Sequence, residues 1–235
     1  LNVGGPARHV ILLTEKFREK GWISELAVGE VGKDEASMED MAFVRNIHPI
    51  KIDVLGREIH PTQDLLLVWK LFWLLHRLKP DIVHTHTAKA GGAGRAAAFL
   101  YRRFHMKGLW SSLPLQVYHT VHGHVLHGYF SPFKEWIFLQ IERLLEKVST
   151  NLITLSPSLR EELARLGVAP RERISIVPLG IELEPYLACE ESVSGKSSFR
   201  AELGVDADTP LVGIIGRLVP IKDHSIFFRA AASLI

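Results

Sequence analysis

The sequence predicts an α/β protein, a parallel sheet with helices on both faces. Two observations carry this. Short runs of β-branched residues alternate along the chain with longer segments whose apolar residues recur every three or four positions. Glycine-marked turns near both ends, at Gly4-Gly5 and at Gly216, stand where doubly wound domains place a turn between strand and helix.

Taken in order, the chain opens on Leu1-Asn-Val-Gly4-Gly5-Pro6, a turn feeding a helix over 6–20 with proline in its first turn. A doubly wound domain has a strand before such a turn, so the first strand is expected ahead of residue 1. Further strands are expected at 24–28, 47–52, 81–86, 115–122, 151–155 and 174–178, with helices at 63–78, 91–104, 132–148 and 158–166 between them. Ser156-Pro157 supplies a start for the last helix and Gly167 its stop. The polar, aperiodic stretch 188–198 reads as linker. The expected organisation is one domain over 1–187, a linker region over 188–205, and the beginning of a second domain of the same kind over 206–235, with a strand at 211–215 and a helix from 223.

The composition, 47% hydrophobic and 23% charged, suits a packed core. Basic and acidic residues nearly balance, 28 against 26, which excludes a protein whose binding rests on neutralising nucleic-acid phosphates. A lone cysteine, Cys189, excludes an intrachain disulfide framework and fits a reducing compartment. No run reaches the roughly 18 apolar residues that span a bilayer, and the N-terminus lacks a signal-peptide layout, so a cytoplasmic protein is expected. The apolar segment from Leu65 to Leu75, with Lys70, Arg77 and Lys79 in and after it, could lie on a membrane surface. It leads straight into a strand, so core packing as a crossover helix is the first expectation and peripheral membrane contact the second. Phe130, Phe133, Trp136 and Phe138 read equally as core or as a greasy acceptor wall.

The segment from Gly213 to His224 reads as a buried strand ending in glycine, then Arg217 and, five residues on, Lys222. Ligands of open α/β sheets bind beyond the carboxyl ends of strands, where a guanidinium fork and an ammonium suit a diphosphate; the plainer reading is two solvated cations. The run Lys89-Ala-Gly91-Gly92-Ala-Gly94 could also face an anion, but close packing of a glycine-rich helix on the sheet explains it better. Of the twelve histidines, His84 and His86 share one strand face, and His119, His122, His124 and His127 follow a later strand. No carboxylate or cysteine completes a ligand set around them, so no metal is expected. A nicotinamide enzyme is excluded because neither glycine run has the Gly-x-Gly-x-x-Gly spacing.

Gly216-Arg217-Leu-(three residues)-Lys222 resembles the phosphate-binding signature of glycosyltransferase family 4. Val177-Pro-Leu-Gly180-Ile-Glu182, Gly4-Gly5, Lys79-Pro80-Asp81-Ile-Val-His84-Thr-His86 and His122-Gly123-His124 are similar to further family motifs in the same order. The resemblance implies the two-domain GT-B fold and sugar transfer from a nucleotide diphosphate to a glycan or lipid-linked hydroxyl acceptor, without a metal or cofactor and with retention. It implies that Arg217 and Lys222 hold the donor diphosphate, that the Gly4-Gly5 turn lies under the donor phosphate and that His122 touches the transferred sugar. His86, Lys89, His124 and His127 are then placed around the acceptor or behind His122. It further implies a Glu-x7-Glu pair beyond residue 235. A sugar-nucleotide epimerase of the same shape and a non-catalytic membrane module are the competing readings.

Overall fold

The structure, a computed structural model, describes residues 1–32, 35–56, 60–105, 115–123, 132–187, 199–206, 208–216, 218 and 222–233. It divides into two compact units, Leu1–Gly180 and Ile181–Ile235.

The first unit runs α1 (Gly5–Glu19), β1 (Ala27–Gly29), α2 (Glu39–Val44), β2 (Ile50–Ile52), α3 (Pro61–Leu78), β3 (Ile82–His86), α4 (Ala88–His105), β4 (Gln116–Val121), α5 (Pro132–Glu146), β5 (Asn151–Thr154), α6 (Pro157–Arg165), a 3₁₀ turn (Arg171–Arg173) and β6 (Ile174–Ile176). Among the described residues every ladder between strands is parallel, and one isolated bridge, Asn2 with Ser37, is antiparallel. Strands β3 to β6 form one sheet in sequence order, and β1 and β2 form a separate two-stranded ladder. The α/β class expected from the alternation of segments is the one found.

Local chemistry fixes the helix ends. Prolines stand in the first turns of α1, α3 and α6, where the missing N–H costs nothing. Ser156 caps α6, its hydroxyl accepting from the Leu159 amide at 3.3 Å. Gly167 ends that helix at φ 65°, a left-handed conformation that favours glycine. The core is distributed in layers: Leu152, Leu159, Leu163 and Ile174 under α6, Ala98, Tyr101 and Val117 under α4, and Ile11, Ala42 and Ile47 beneath α1.

Helix α4 lies close on the sheet because it lacks side chains where it meets the strands. A Cβ added at Gly94 would fall 2.6 Å from Thr85 Cγ2, and one at Gly91 would fall 2.8 Å from His119 Nδ1. The glycine run therefore serves packing. From the same helix, Arg95 is wholly buried, its Nη2 donating to both carboxylate oxygens of Glu142 on α5 at 2.9 Å and its Nε to the Gly91 carbonyl at 3.0 Å.

Three expectations need correction. The ladders of β1 and β2 are only three residues long, because Ile23 and Glu25 are exposed and Ile47, though fully buried, precedes the paired segment. Helix α3 packs on the core as a crossover helix should, but with one face only. Leu67 is buried and Val68, Leu71, Phe72, Leu74 and Leu75 pack against the core, whereas Leu65, Leu66, Trp69 and Trp73 face outward.

The third correction lies in the second unit, which contains α7 (Glu184–Leu187), a helical turn at 199–202 and α8 (His224–Ala232). The expected strand at 211–215 has no ladder partner among the described residues, and Ile215 is fully exposed. Extended backbone becomes a strand only when neighbours take its amides. Asp223 caps α8 by accepting from the Ile226 amide at 3.1 Å. The stretch at 188–198, read as linker, lies outside the described residues.

A histidine cluster at the carboxyl ends of two strands

Strand alternation sorts the histidines of the first unit onto two faces. His84 and His86 project to one side of β3, and Thr85 between them projects to the other, where its hydroxyl meets Nδ1 of buried His119 at 2.9 Å. On the first face, His84 Nε2 lies 2.8 Å from Thr120 Oγ1. His86 Nδ1 lies 3.0 Å from Nε2 of His122, the residue immediately past β4.

Helix α1 adds a fourth ring. His9 stands one turn after Gly5 and packs edge-on against both His86 and His122, with centroids 5.5 Å away in each case. The turn carrying Gly4 and Gly5 is thereby tied to the carboxyl ends of β3 and β4.

Burial keeps these rings neutral. Burial, with the neighbouring histidines adding in the same direction, lowers His84 and His122 to about 4 and His86 to about 2. His9 is lowered by burial alone. A neutral imidazole offers one donor and one acceptor nitrogen. With Nε2 of His122 engaged by His86, its Nδ1 is left without a hydrogen-bond partner among the described residues. That nitrogen is buried, so its bonding capacity is unspent but closed to solvent in this arrangement. No group of three or more metal-ligating side chains arranged for a metal ion is found among the described residues.

The glycine turn is open. Gly4 is extended at φ 161° and caps α1, and Gly5 is helical, so neither position needs glycine for its backbone angles. A Cβ added at Gly5 would have nothing within 4 Å, and one at Gly4 would meet only Pro6 Cδ at 3.9 Å. Neither glycine is thus demanded by a tight turn, and the backbone amides at the positive end of α1 stay accessible.

The other expected site residues fall as follows. Lys89 pairs with Asp64 of α3, Nζ to Oδ1 2.7 Å, so it joins two helices. In the second unit, Lys222 is described and exposed, and its side chain lies with His224 beside Gly216. Arg217, His124 and His127 lie outside the described residues. The sequence reading missed His9, Thr120 and the pair Arg95–Glu142. His9 was within reach of it, since four residues after Gly5 is one helical turn on the same face.

With this geometry in hand, comparison with known proteins is informative. The profile of Glycosyltransferase Family 4 matches residues 3–185. UDP-Gal:alpha-D-GlcNAc-diphosphoundecaprenol alpha-1,3-galactosyltransferase of Escherichia coli is 29% identical over 184 residues, covering 78% of this chain and 44% of that protein. Capsular polysaccharide biosynthesis glycosyltransferase CapM of Staphylococcus aureus is 28% identical over 176 residues, 73% of this chain and 41% of its own. The chain thus spans less than half the length of these two relatives. Among solved structures, HepE of Anabaena, in complex with UDP and glucose, matches with a TM-score of 0.71 at 21% identity, over 98% of this chain and 55% of that one. That likeness is one of fold.

Proposed function

The chain belongs to Glycosyltransferase Family 4, and from that premise we propose that the protein transfers a sugar from a nucleotide-diphosphate donor to a hydroxyl acceptor, with retention at the anomeric carbon. The acceptor class we propose is a glycan or lipid-linked saccharide of cell-surface polysaccharide. Its support is that one relative is named for a diphosphoundecaprenol-linked acceptor and another for capsular polysaccharide biosynthesis.

The observation that carries the reading is the state of His122. It is neutral, held by His86, bears an unspent Nδ1, and is tied through His9 to an open glycine turn at a helix N-terminus. A neutral imidazole hydrogen-bonds a sugar hydroxyl without adding positive charge beside an oxocarbenium-like centre. The helix end meanwhile favours the negative donor phosphate.

Catalysis on this reading is electrostatic. The bond from the anomeric carbon to the donor phosphate breaks, the bond to the acceptor oxygen forms, and a phosphate oxygen of the leaving diphosphate takes the acceptor's proton. The role proposed for Arg217 and Lys222 is to stabilise charge on that diphosphate.

The test is product analysis with labelled donor in the full-length protein. Transfer of label to acceptor is expected, with Arg217→Ala and Lys222→Ala each weakening nucleotide binding by roughly 1.5–3 kcal/mol. His122→Ala should lower the transfer rate while leaving affinity for the free nucleoside diphosphate near wild type. Label found only as an epimerised nucleotide sugar would replace the proposal with an epimerase. Equal loss of nucleotide binding in the His122 variant would remove the role given to that residue.

A further inference from the structure

Three rings of the histidine cluster spend a nitrogen on a neighbour, and the last does not. His84 bonds Thr120, and His86 and His122 bond each other. His9 makes no hydrogen bond among the described residues. It is partly buried, yet neither of its nitrogens belongs to the buried polar atoms left without a partner, so both stay open to solvent. The unspent Nδ1 of His122, by contrast, is buried.

The His9 ring is nonetheless fixed. It crosses His86 at 69° and His122 at 74°, with centroids 5.5 Å away in each case. The helix that carries it is anchored by Ala7, Ile11 and Leu12, all buried. A ring held by its neighbours and bonded to none of them loses little side-chain freedom when a ligand arrives.

Position and charge together say what that ligand is. His9 follows Gly5 by four residues, so the two share a face of α1, about 6 Å apart along its axis. With a phosphate at the open amides of the glycine turn, the sugar joined to it by one bond extends as far as the imidazole. Burial lowers the pKa of His9, so at neutral pH the ring is uncharged and offers one donor and one acceptor. A sugar hydroxyl, which also donates and accepts, complements such a ring, whereas a phosphate gains no charge from it.

We propose that His9 is a substrate-binding residue that hydrogen-bonds a hydroxyl of the transferred sugar. The inference rests on the proposed donor site and adds to it a sugar contact from α1, an element to which the resemblance assigned only the glycine turn.

Calorimetry on the full-length protein tests it. The probes are UDP-glucose, UDP-galactose, UDP-N-acetylglucosamine and GDP-mannose, each titrated beside its own free nucleoside diphosphate, and the readout is the ratio of the two affinities. His9→Phe keeps a ring for the edge contacts but removes both nitrogens. For the sugar nucleotide that binds best it should lower the ratio about 5-fold, the loss of one hydrogen bond, with the free nucleoside diphosphate bound as in wild type. His9→Gln, whose amide restores a donor and an acceptor, should recover most of that loss. In the unaltered protein, the nitrogen magnetic resonance signals of the His9 ring should move with the sugar nucleotide and stay in place with the nucleoside diphosphate alone, which decides the matter even where a variant folds poorly.

The inference is overturned by an unchanged ratio in His9→Phe, by an equal loss for the free nucleoside diphosphate, or by His9 signals that ignore the sugar. Those outcomes leave the transferase reading standing. A full-length protein that binds none of the probes sinks that reading, and this inference with it.

Discussion

Four neutral histidines held ring to ring make the first unit sensitive to acid, and the sign follows from their titration. Free histidine takes its proton near 6.5, but His84 and His122 are held down to about 4 and His86 to about 2. Between these limits the unfolded chain binds protons that the folded chain refuses. Stability is therefore fully present above 6.5 and falls as the pH drops toward 4, by up to about 1.4 kcal/mol per pH unit for each of the well-buried His84 and His86, and by less for His122, whose partial exposure lets solvent screen its charge. Chemical denaturation across that range should show the decline. It should be shallower in His86→Gln, which removes the lowest-lying group. A stability flat from 7 to 4, or an unchanged slope in that variant, would mean that the cluster is hydrated and titrates normally. The sequence revealed where these residues stand on their strands, since alternation alone puts His84 and His86 on one face. It did not reveal their neutrality, because burial is a property of what packs around a ring, and here His9 arrives from a helix some 75 positions upstream.

Glycine gives a test at the scale of the element, because two glycine runs play opposite parts. At Gly91 and Gly94 the strand side chains occupy the space a Cβ would need, so alanine there must push α4 off β3 and β4. Overpacking of this kind costs roughly 1–3 kcal/mol, and Gly94→Ala should lower the melting temperature accordingly. At Gly5 a Cβ meets nothing and the backbone is helical, so Gly5→Ala should leave stability within about 0.5 kcal/mol of the parent. If the proposed donor site is correct, that variant should still lose donor affinity, because its methyl stands where a phosphate must approach. A Gly5 variant that is both stable and fully active would count against the site. Both runs looked alike in the sequence, each a cluster of glycines at a helix start, and only the neighbours separate them. The same reason explains the elements that periodicity missed. Helix α2 and the 3₁₀ turn Arg171–Arg173 are too short for a repeat to register, and α3 is apolar on more of its circumference than the sheet can cover.

At the scale of the whole molecule the two units differ in how their backbones are protected. In Leu1–Gly180, β4 lies between β3 and β5 with Val117 and Thr120 essentially buried, so its amides are paired and screened on both sides. In Ile181–Ile235 no described residue is buried; α8 has no buried position, and the apolar segment 211–215 has no ladder partner among the described residues. Arg200 ties its loop through the carbonyls of Asp206 and Thr209 at 2.8 and 2.9 Å, but exposed hydrogen bonds of this kind open easily. Hydrogen exchange of the 235-residue chain should therefore be slowest at 116–121 and 151–154 and near the unprotected rate at 211–215. Exchange at 211–215 as slow as in β4 would show that this segment is paired after all, and the second unit would have to be regarded as a folded body in its own right.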